Sequence, residues 1–353
     1  MYQFCLGLGL LLGLIVDNSS KSRTDSGSFR IPMAVQFVFP LILLPGLLFV
    51  APESPRWLVM KSRIEDARKA LTRLHGEEAV DLIERELVSI QESLEHDSSG
   101  EHSSWVSLLK WGPEGRKAYL GFSLQGTVKV HLKHANADRM TAWQQATGIN
   151  FITGYGIVFF IQVGIKNAFL IQLGLSLVAM PAIWISQFCI ERFGRRPILL
   201  SSGLLTSTVL LVTGGCGIAT NKSKALEQTI VAMVYLFIVV FNLGWGPTVW
   251  VITSEISTSK NRGKLMALST ASNWLFNWLV SFTFPYLFDP DGANLGAKIG
   301  FIYGALTLAG TIWVFFLLPE TSGLTLEQIS AQFERHATVK SFKGEYILFC
   351  ETS

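Results

Sequence analysis

Long apolar stretches, separated by shorter polar segments, run through most of the chain. Each stretch approaches the length of about 20 residues that a helix needs to cross the hydrocarbon core of a bilayer. We therefore predict an all-α membrane protein. The pattern gives eight membrane-spanning helices, of which the first is short and the third is interrupted: 2–16, 31–51, 118–125 joined to 142–163, 167–190, 198–218, 229–252, 265–288 and 299–318.

Composition agrees with this interpretation. Hydrophobic residues make up 49% of the 353 residues, charged residues make up 16%, and the mean hydropathy is +0.38. These values exclude an ordinary soluble domain. The cysteines show no paired spacing, so we expect buried apolar residues with neither a metal site nor a disulfide. They are Cys5, Cys189, Cys216 and Cys350.

The longest polar segment between two apolar stretches is 56–117. Apolar residues recur there at helical spacing, first at Ile64, Ala67, Leu71 and Leu74 and then at Leu82, Ile83, Leu87, Ile90 and Leu94. We predict a cytoplasmic helical linker between two half-bundles. The expected domains are 1–55, the end of the N-terminal half-bundle; 56–117, the linker; 118–318, a six-helix C-terminal half-bundle; and 319–353, a cytoplasmic tail.

The distribution of Lys and Arg sets the expected orientation. Basic residues concentrate in the 56–117 segment and in the short loops at 191–197 and 258–264. With eight spans, these segments all fall on one side of the membrane. Because short basic loops stay in the cytoplasm, that side is the inside.

Uncharged amides open the second part of the third span, in the stretch Trp143–Tyr155. Gln144, Gln145 and Asn150 lie here among apolar and aromatic residues. A buried amide without a hydrogen-bond partner costs about 1–3 kcal/mol, and a bilayer offers no water to supply one. These side chains must therefore face either a partner helix or a polar ligand, and the amides alone leave both interpretations open.

Four further motifs recur near the predicted cytoplasmic ends of helices. They are PESPRWL at Pro52–Leu58, ERFGRRP at Glu191–Pro197, WGPTVWVITSE at Trp245–Glu255 with Arg262 following, and PETSGLTLEQI at Pro319–Ile329. Together with QQATGIN, they resemble in order and spacing the C-terminal two thirds of the sugar porter branch of the major facilitator superfamily, most like fungal hexose transporters. The resemblance implies a helical bundle of that superfamily. The first span matches its fifth helix, so the bundle is N-terminally truncated.

The resemblance also implies a sugar-binding set. Amides match sugar hydroxyls, and aromatic faces match sugar CH groups, without full charges to desolvate. Trp245 and Trp274 are either lining or packing residues. Gly and Pro in the stretch Gly244–Pro247 permit a bend that would let Trp250 close over the site. The matching positions are Gln3, Gln144, Gln145, Asn150, Trp250, Asn273 and Asn277.

Charged residues of the motifs match a family network that holds the helices together in the outward-facing state and breaks for inward opening. The alternative is that these loop charges only set topology. The matching positions are Glu53, Arg56, Glu191, Arg195, Arg196, Glu255, Arg262 and Glu320.

The function implied is transport of a hexose-like monosaccharide across the plasma membrane by alternating access, with proton coupling left open. Such a carrier has no catalytic residue, cofactor or metal, and its partners are the sugar, the lipid bilayer and, if coupled, H⁺, with no nucleic acid. Two alternatives remain: a membrane sugar sensor and a non-functional fragment. Sensors of this family usually have a long cytoplasmic tail, and only about 35 residues follow Leu318, which favours transport.

Two departures from the family pattern stand out. Ala179 occupies the position where the eighth helix usually has a binding asparagine. Residues 126–141, which include Lys129, Lys133 and Arg139, interrupt the third span where relatives run straight through. Each of these basic residues would cost about 2.5–3.5 kcal/mol in mid-membrane. We hypothesise that the segment is a translated intron, because its codons can supply GT and AG borders and the reading frame survives its removal.

Overall fold

The fold is described from a computed structural model, which covers residues 2–20, 22–76, 80–98, 116–120, 143–163, 167–219, 223–257, 262–288, 292–324, 329 and 332–333. These residues divide into two compact units, 19–103 and 1–18 together with 104–353. The insertion 126–141 and the residues after 333 lie outside the described residues. The predicted domain boundaries remain a prediction.

Every regular element in the described part of the chain is helical. A π-helix, Gly46–Val50, continues α3, and a 3₁₀ turn, Gly296–Lys298, precedes α14. The α-helices are α1 (Tyr2–Ser20), α2 (Gly27–Val35), α3 (Val38–Pro45), α4 (Pro55–Met60), α5 (Ile64–His75), α6 (Val80–Ser98), α7 (Trp143–Ala146), α8 (Ile149–Val163), α9 (Ala168–Phe193), α10 (Arg195–Cys216), α11 (Lys224–Leu243), α12 (Trp245–Ile256), α13 (Arg262–Phe288) and α14 (Ile299–Leu317).

Six of the eight expected spans coincide with helical stretches that are long and apolar enough to cross a membrane, counted over the described residues. The third span is instead divided between α7 and α8. The seventh corresponds to α13, whose 27 residues would extend for about 40 Å. The fold class is confirmed: this is an all-α, multi-pass membrane protein. The expectation of buried cysteines is wrong for Cys5, which is exposed, while Cys189 and Cys216 are half-buried. Cys350 lies outside the described residues.

In the unit formed by residues 19–103, the linker helices α4, α5 and α6 pack around a small apolar core. Ala67, Ala70 and Leu71 of α5 are buried in it, together with Ile83 and Leu87 of α6. The predicted helices are present, but the predicted inward face is partly wrong. Ile64, Leu74 and Leu82 are exposed, because the small core is formed by the other side chains of these two helix faces.

In the other unit, α10 and α14 form the most extensive helix pair. Small residues let the two backbones approach closely: a Cβ on Gly300 would overlap the backbone carbonyl of Leu210. Ser207 adds a hydrogen bond from its hydroxyl to the Gly304 carbonyl, at 2.8 Å. Close packing of this kind, with polar links between helices, is what holds helices together where lipid removes the hydrophobic driving force.

The first helix of the chain packs on α9. The ring of Phe4 meets that of Trp184 edge-on, with centroids 5.2 Å apart. Gly7 lies against the side chains of Met180 and Ile183, and a Cβ there would come within 3.1 Å of the Met180 sulfur. These contacts place Gln3, one turn before Gly7, on the same side of the bundle as α9.

Candidate functional site

The third span is broken immediately before its predicted binding residues. Gly148 adopts φ +81°, which side-chain-bearing residues avoid, and a Cβ there would come within 2.8 Å of the Tyr303 ring. The chain therefore leaves α7 and restarts as α8 at Ile149. Across this break, the Asn150 side-chain N–H donates to Gln145 Oε1. The break thus brings together two amides that would point in different directions on a continuous helix.

Gln144 joins three helices. Its Nε2 donates to the backbone carbonyls of Trp245 and Gly246, both at 3.2 Å. Its Oε1 accepts from Asn273 Nδ2 of α13 at 3.1 Å. Gln144 is 5% exposed and Asn273 8% exposed, so these bonds form away from solvent. Both N–H groups of Gln144 are used by backbone, which makes it the organiser of the site.

We call Gln144, Gln145, Asn150 and Asn273 the amide cluster. Its free hydrogen-bonding capacity lies mainly on two members. The Gln145 N–H groups and the Asn150 carbonyl oxygen form no hydrogen bond with any described residue. Groups of this kind can donate to and accept from a sugar hydroxyl, which is both a donor and an acceptor. The cluster is uncharged, so binding of a neutral polyol would not require a charged side chain to lose its hydration.

A wall of aromatic rings stands beside the amide cluster, and the sequence analysis missed it. Phe151 stacks on Tyr303 at 5.1 Å and on Phe284 at 5.4 Å. Phe284 also stacks on Tyr155 at 4.9 Å, and the Tyr155 hydroxyl donates to the Ser281 carbonyl. The rings come from three helices, so spacing along the chain does not group them. The available signal was Phe151, which directly follows Asn150 in sequence.

The remaining predicted binding residues are less tightly held. Gln3, Trp250 and Asn277 are all half-buried. Trp245 is a packing residue: it is fully buried, and its indole N–H donates to the Leu199 carbonyl at 3.1 Å. Trp274 is 64% exposed on α13. The expected bend is present, because α11 ends at Leu243 and α12 begins at Trp245.

A second constellation lies at the predicted cytoplasmic end of the same unit. We call Arg195, Arg196, Glu255 and Glu320 the charge cluster. The Glu320 carboxylate accepts the backbone N–H groups of Arg195 and Arg196, each at 3.0 Å. Helix N-termini favour negative charge because their first N–H groups lack partners within the helix. Glu320 therefore caps α10, and Gly194, at φ +89°, leaves room for its oxygens.

The Arg195 side chain adds an ion pair to this cap. Its Nη2 lies 2.6 Å from Glu255 Oε1, and the two side chains are only 16% and 18% exposed. The other oxygen of Glu255 accepts from the Thr321 hydroxyl at 2.7 Å. Ser322 accepts from Arg195 Nη1 at 3.2 Å. The ends of α9, α10 and α12 are thus tied to the segment that follows α14.

The other predicted charges are arranged differently. Arg196 donates to the Phe315 carbonyl at 2.6 Å, and its guanidinium lies over the Phe315 ring. Glu191 is exposed at the end of α9. In the unit formed by residues 19–103, Glu53 and Arg56 are both exposed. Arg262 begins α13, but its side chain lies outside the described structure.

The helical bundle agrees with solved structures of the major facilitator superfamily. The proton:xylose symporter XylE, bound to 6-bromo-6-deoxy-D-glucose, superposes with a TM-score of 0.70 at 23% identity, covering 94% of this chain and 66% of XylE. The inward-open form of XylE from E. coli gives a TM-score of 0.65 at 24% identity, covering 93% of this chain and 63% of XylE. Identities this low establish the fold alone.

The family follows from the sequence match. Residues 1–333 match the model of the family described as "Sugar (and other) transporter". The chain belongs to this family, and the resemblance inferred from the motifs is confirmed.

Three similar curated proteins are fungal. The major facilitator-type transporter ecdD of Aspergillus rugulosus is 37% identical, over 93% of this chain and 60% of its own length. The high glucose sensor RGT2 of Saccharomyces cerevisiae is 33% identical, over 95% and 42%. The probable glucose transporter rco-3 of Neurospora crassa is 30% identical, over 95% and 55%. The chain therefore spans about half the length of the curated relatives it matches.

Proposed function

We propose that this chain forms the sugar-recognising part of a plasma-membrane carrier that moves a hexose-like monosaccharide by alternating access. The observation that carries the proposal is the amide cluster at the break between α7 and α8. Uncharged donors and acceptors converge there beside stacked aromatic rings. Interrupted helices at a site of this kind are how transporters bind a substrate and then close around it.

Within this proposal, the amide cluster has a division of labour. Gln145 and Asn150 offer the hydrogen-bonding groups left over from their mutual bond, so they bind the sugar hydroxyls. Asn273 contributes its carbonyl oxygen, and Gln144 holds the carbonyls of α12 in place. Gln3, Trp250 and Asn277 complete the binding set. The half-buried state of these three residues fits contact with a ligand that enters and leaves.

The charge cluster serves the conformational change. Arg195, Glu255 and Glu320 tie helix ends together through charge-assisted hydrogen bonds, which are stronger than neutral ones. Opening the cytoplasmic side requires these helix ends to separate, so the cluster stabilises the closed arrangement. By their match to the family motifs, Glu191 and Arg262 are assigned to the same network. Glu53 and Arg56 belong to the corresponding motif of the linker unit.

Uptake of labelled glucose tests the proposed function. The chain is expressed in cells that lack hexose transport, beside a chimera that adds the upstream part of the Neurospora relative. We expect uptake from the chimera, inhibited by unlabelled hexose, and none from the 353 residues alone. Uptake by the short chain would disprove the need for upstream helices, and no uptake by either would contradict the carrier function. Sensitivity of uptake to a protonophore would identify proton coupling. A fluorescent fusion would show in which cellular membrane the protein resides.

A sensor is the second candidate function, because one relative at 33% identity is named a high glucose sensor. A sensor binds sugar and changes conformation without releasing it on the far side. Glucose binding to the purified chimera, followed by tryptophan fluorescence, combined with no uptake in cells would favour this function over transport.

A further inference from the structure

Gln172, near the start of α9, is a buried polar residue that belongs to neither the amide cluster nor the charge cluster. It is 6% exposed, and its Nε2 donates to the Ile152 carbonyl of α8 at 3.2 Å. Its Oε1 is buried and makes no hydrogen bond with any described residue. Leaving a buried amide oxygen without a partner is costly, so packing alone does not explain a glutamine at this position.

The fit between Gln172 and α8 depends on Gly156. A Cβ at that position would overlap the Gln172 Oε1, whereas the glycine lets the amide lie flat against the helix. The carbonyl that accepts from Gln172 belongs to Ile152, one turn before Gly156. The Ile152 carbonyl has a second lone pair beyond the one used by the helix itself. Gln172 therefore fastens the turn Ile152–Gly156 to α9.

On the other side of Gln172, α9 is fastened to α11 by a similar contact. The Tyr235 hydroxyl donates to the Ile171 carbonyl at 3.1 Å. A Cβ on Gly174 would overlap that hydroxyl. Because α9 is anchored to α11 at the residue next to Gln172, the glutamine links α8 to a fixed part of the unit.

We propose that Gln172 is a positioning residue for α8, the helix that carries Asn150. Gln172 holds α8 in the conformation seen here and releases it when the site closes or opens. The proposal rests on the proposed function in one respect, that α8 moves during transport. The hydrogen bond of Gln172 goes to the Ile152 carbonyl, whereas Gln145 and Asn150 bond to each other. Its effect should therefore fall on the movement of α8 rather than on the contacts with sugar.

Amide hydrogen exchange of the purified 353-residue chain tests the link without requiring transport. The variants are Gln172→Leu, which removes the bond at similar size, and Gly156→Ala, which displaces the amide. We expect exchange within 149–163 to accelerate about three- to ten-fold in each, the effect of losing one neutral hydrogen bond, with no change in α10. The double variant should exchange no faster than either single variant, because both act on one contact.

The matched control is Gly154→Ala on the same helix, where a Cβ meets no atom within 4 Å. It shares the increase in helix propensity of Gly156→Ala and should not accelerate exchange. Unchanged exchange in Gln172→Leu, or equal acceleration in the control, would overturn the proposal. If Gln172→Leu does not fold, Gly156→Ala gives the same readout with the glutamine retained.

Uptake by the chimera then separates the two proposals. Gln172→Leu should change the maximal rate about three- to ten-fold and leave the KM for glucose unchanged. A changed KM at constant maximal rate would overturn the positioning role, since it would place Gln172 at the sugar. Accelerated exchange with no uptake from any variant, including the parent, would contradict the carrier function and leave the link between Gln172 and α8 standing.

Discussion

Asn273 donates a hydrogen bond from its side chain to Gln144 Oε1 across 3.1 Å, and this bond joins α13 to α7. The same Gln144 amide donates to carbonyls at the start of α12. One neutral side chain thus connects three helices at the point where two of them are interrupted. The arrangement separates the amides that organise the site from those with groups left to bind a ligand.

Replacing Gln144 should therefore damage the fold more than it changes sugar recognition. In the Gln144→Ala variant, the Asn273 amide loses its acceptor and two buried backbone carbonyls each lose one hydrogen bond. Leaving buried polar groups unpaired costs about 1–3 kcal/mol each. We expect a lower melting temperature of the purified chain, measured by intrinsic fluorescence. Gln144→Glu should lower it as well, because this variant keeps the Asn273 contact but loses the two bonds to carbonyls and places a carboxylate against them. A melting temperature equal to that of the parent in both variants would contradict the organising role.

Gln145 and Asn150 should behave in the opposite way. The Gln145→Ala and Asn150→Ala variants each remove a group that is proposed to bind a sugar hydroxyl. One neutral hydrogen bond is worth about 0.5–1.5 kcal/mol, which corresponds to a rise in KM of about three- to ten-fold. Uptake by the chimera across a range of glucose concentrations measures it. Thr153→Ala on the exposed side of α8 is the control, and unchanged KM in both amide variants would remove them from the binding set.

The ion pair between Arg195 and Glu255 should contribute more than the pairs on the linker. At 16% and 18% exposure, it is screened little by solvent, and hydrogen bonds to charged groups contribute about 1.5–3 kcal/mol. A double-mutant cycle of Arg195→Gln and Glu255→Gln, measured by thermal unfolding, should give a coupling of about that size. In the chimera, either single variant should also lower the maximal rate of uptake.

The matched control for this cycle is the pair Arg63 and Asp66 at the start of α5, with side chains 57% and 41% exposed. The hydrogen bond and charge of Arg63 hold the pKa of Asp66 below its usual range. Solvent screening makes exposed pairs contribute little, so the control cycle should show a coupling near zero. Equal coupling in the two cycles would show that the charge cluster has no special stabilising role.

The sequence predicted the family, the fold class and most spans, because apolar length and motif order are local properties. It did not predict that Gln144 is occupied by the carbonyls of Trp245 and Gly246. Gln144 reaches the second lone pairs of those carbonyls only because α7 and the start of α12 meet in space. In the linker, helical spacing correctly predicted α5 and α6. The exposure of Leu74 and Leu82 depends on which side chains of α5 and α6 meet in space, and the periodicity of one helix does not report that.

The flanks of the insertion 126–141 bear on the intron hypothesis, which remains a prediction. Tyr119 and Trp143 lie on either side of it, and both rings contact Trp313, at 6.3 Å and 6.4 Å between centroids. Their own centroids are therefore at most about 13 Å apart. Without the sixteen residues of the insertion, the two positions would be eight residues apart, which an α-helix covers in about 12 Å. This upper limit is compatible with a continuous helix between the flanks.

Deleting residues 126–141 should accordingly raise the yield and the thermal stability of the protein. The deletion removes Lys129, Lys133 and Arg139 from the predicted third span, where each would cost about 2.5–3.5 kcal/mol in mid-membrane. We expect a higher yield of monodisperse protein by fluorescence-detected size-exclusion chromatography, and a higher melting temperature. Removal of 338–353, a segment of equal length at the end of the chain, is the control. Sequencing of mature transcripts gives an independent answer: a lower yield after deletion, or transcripts that all retain the segment, would reject the hypothesis.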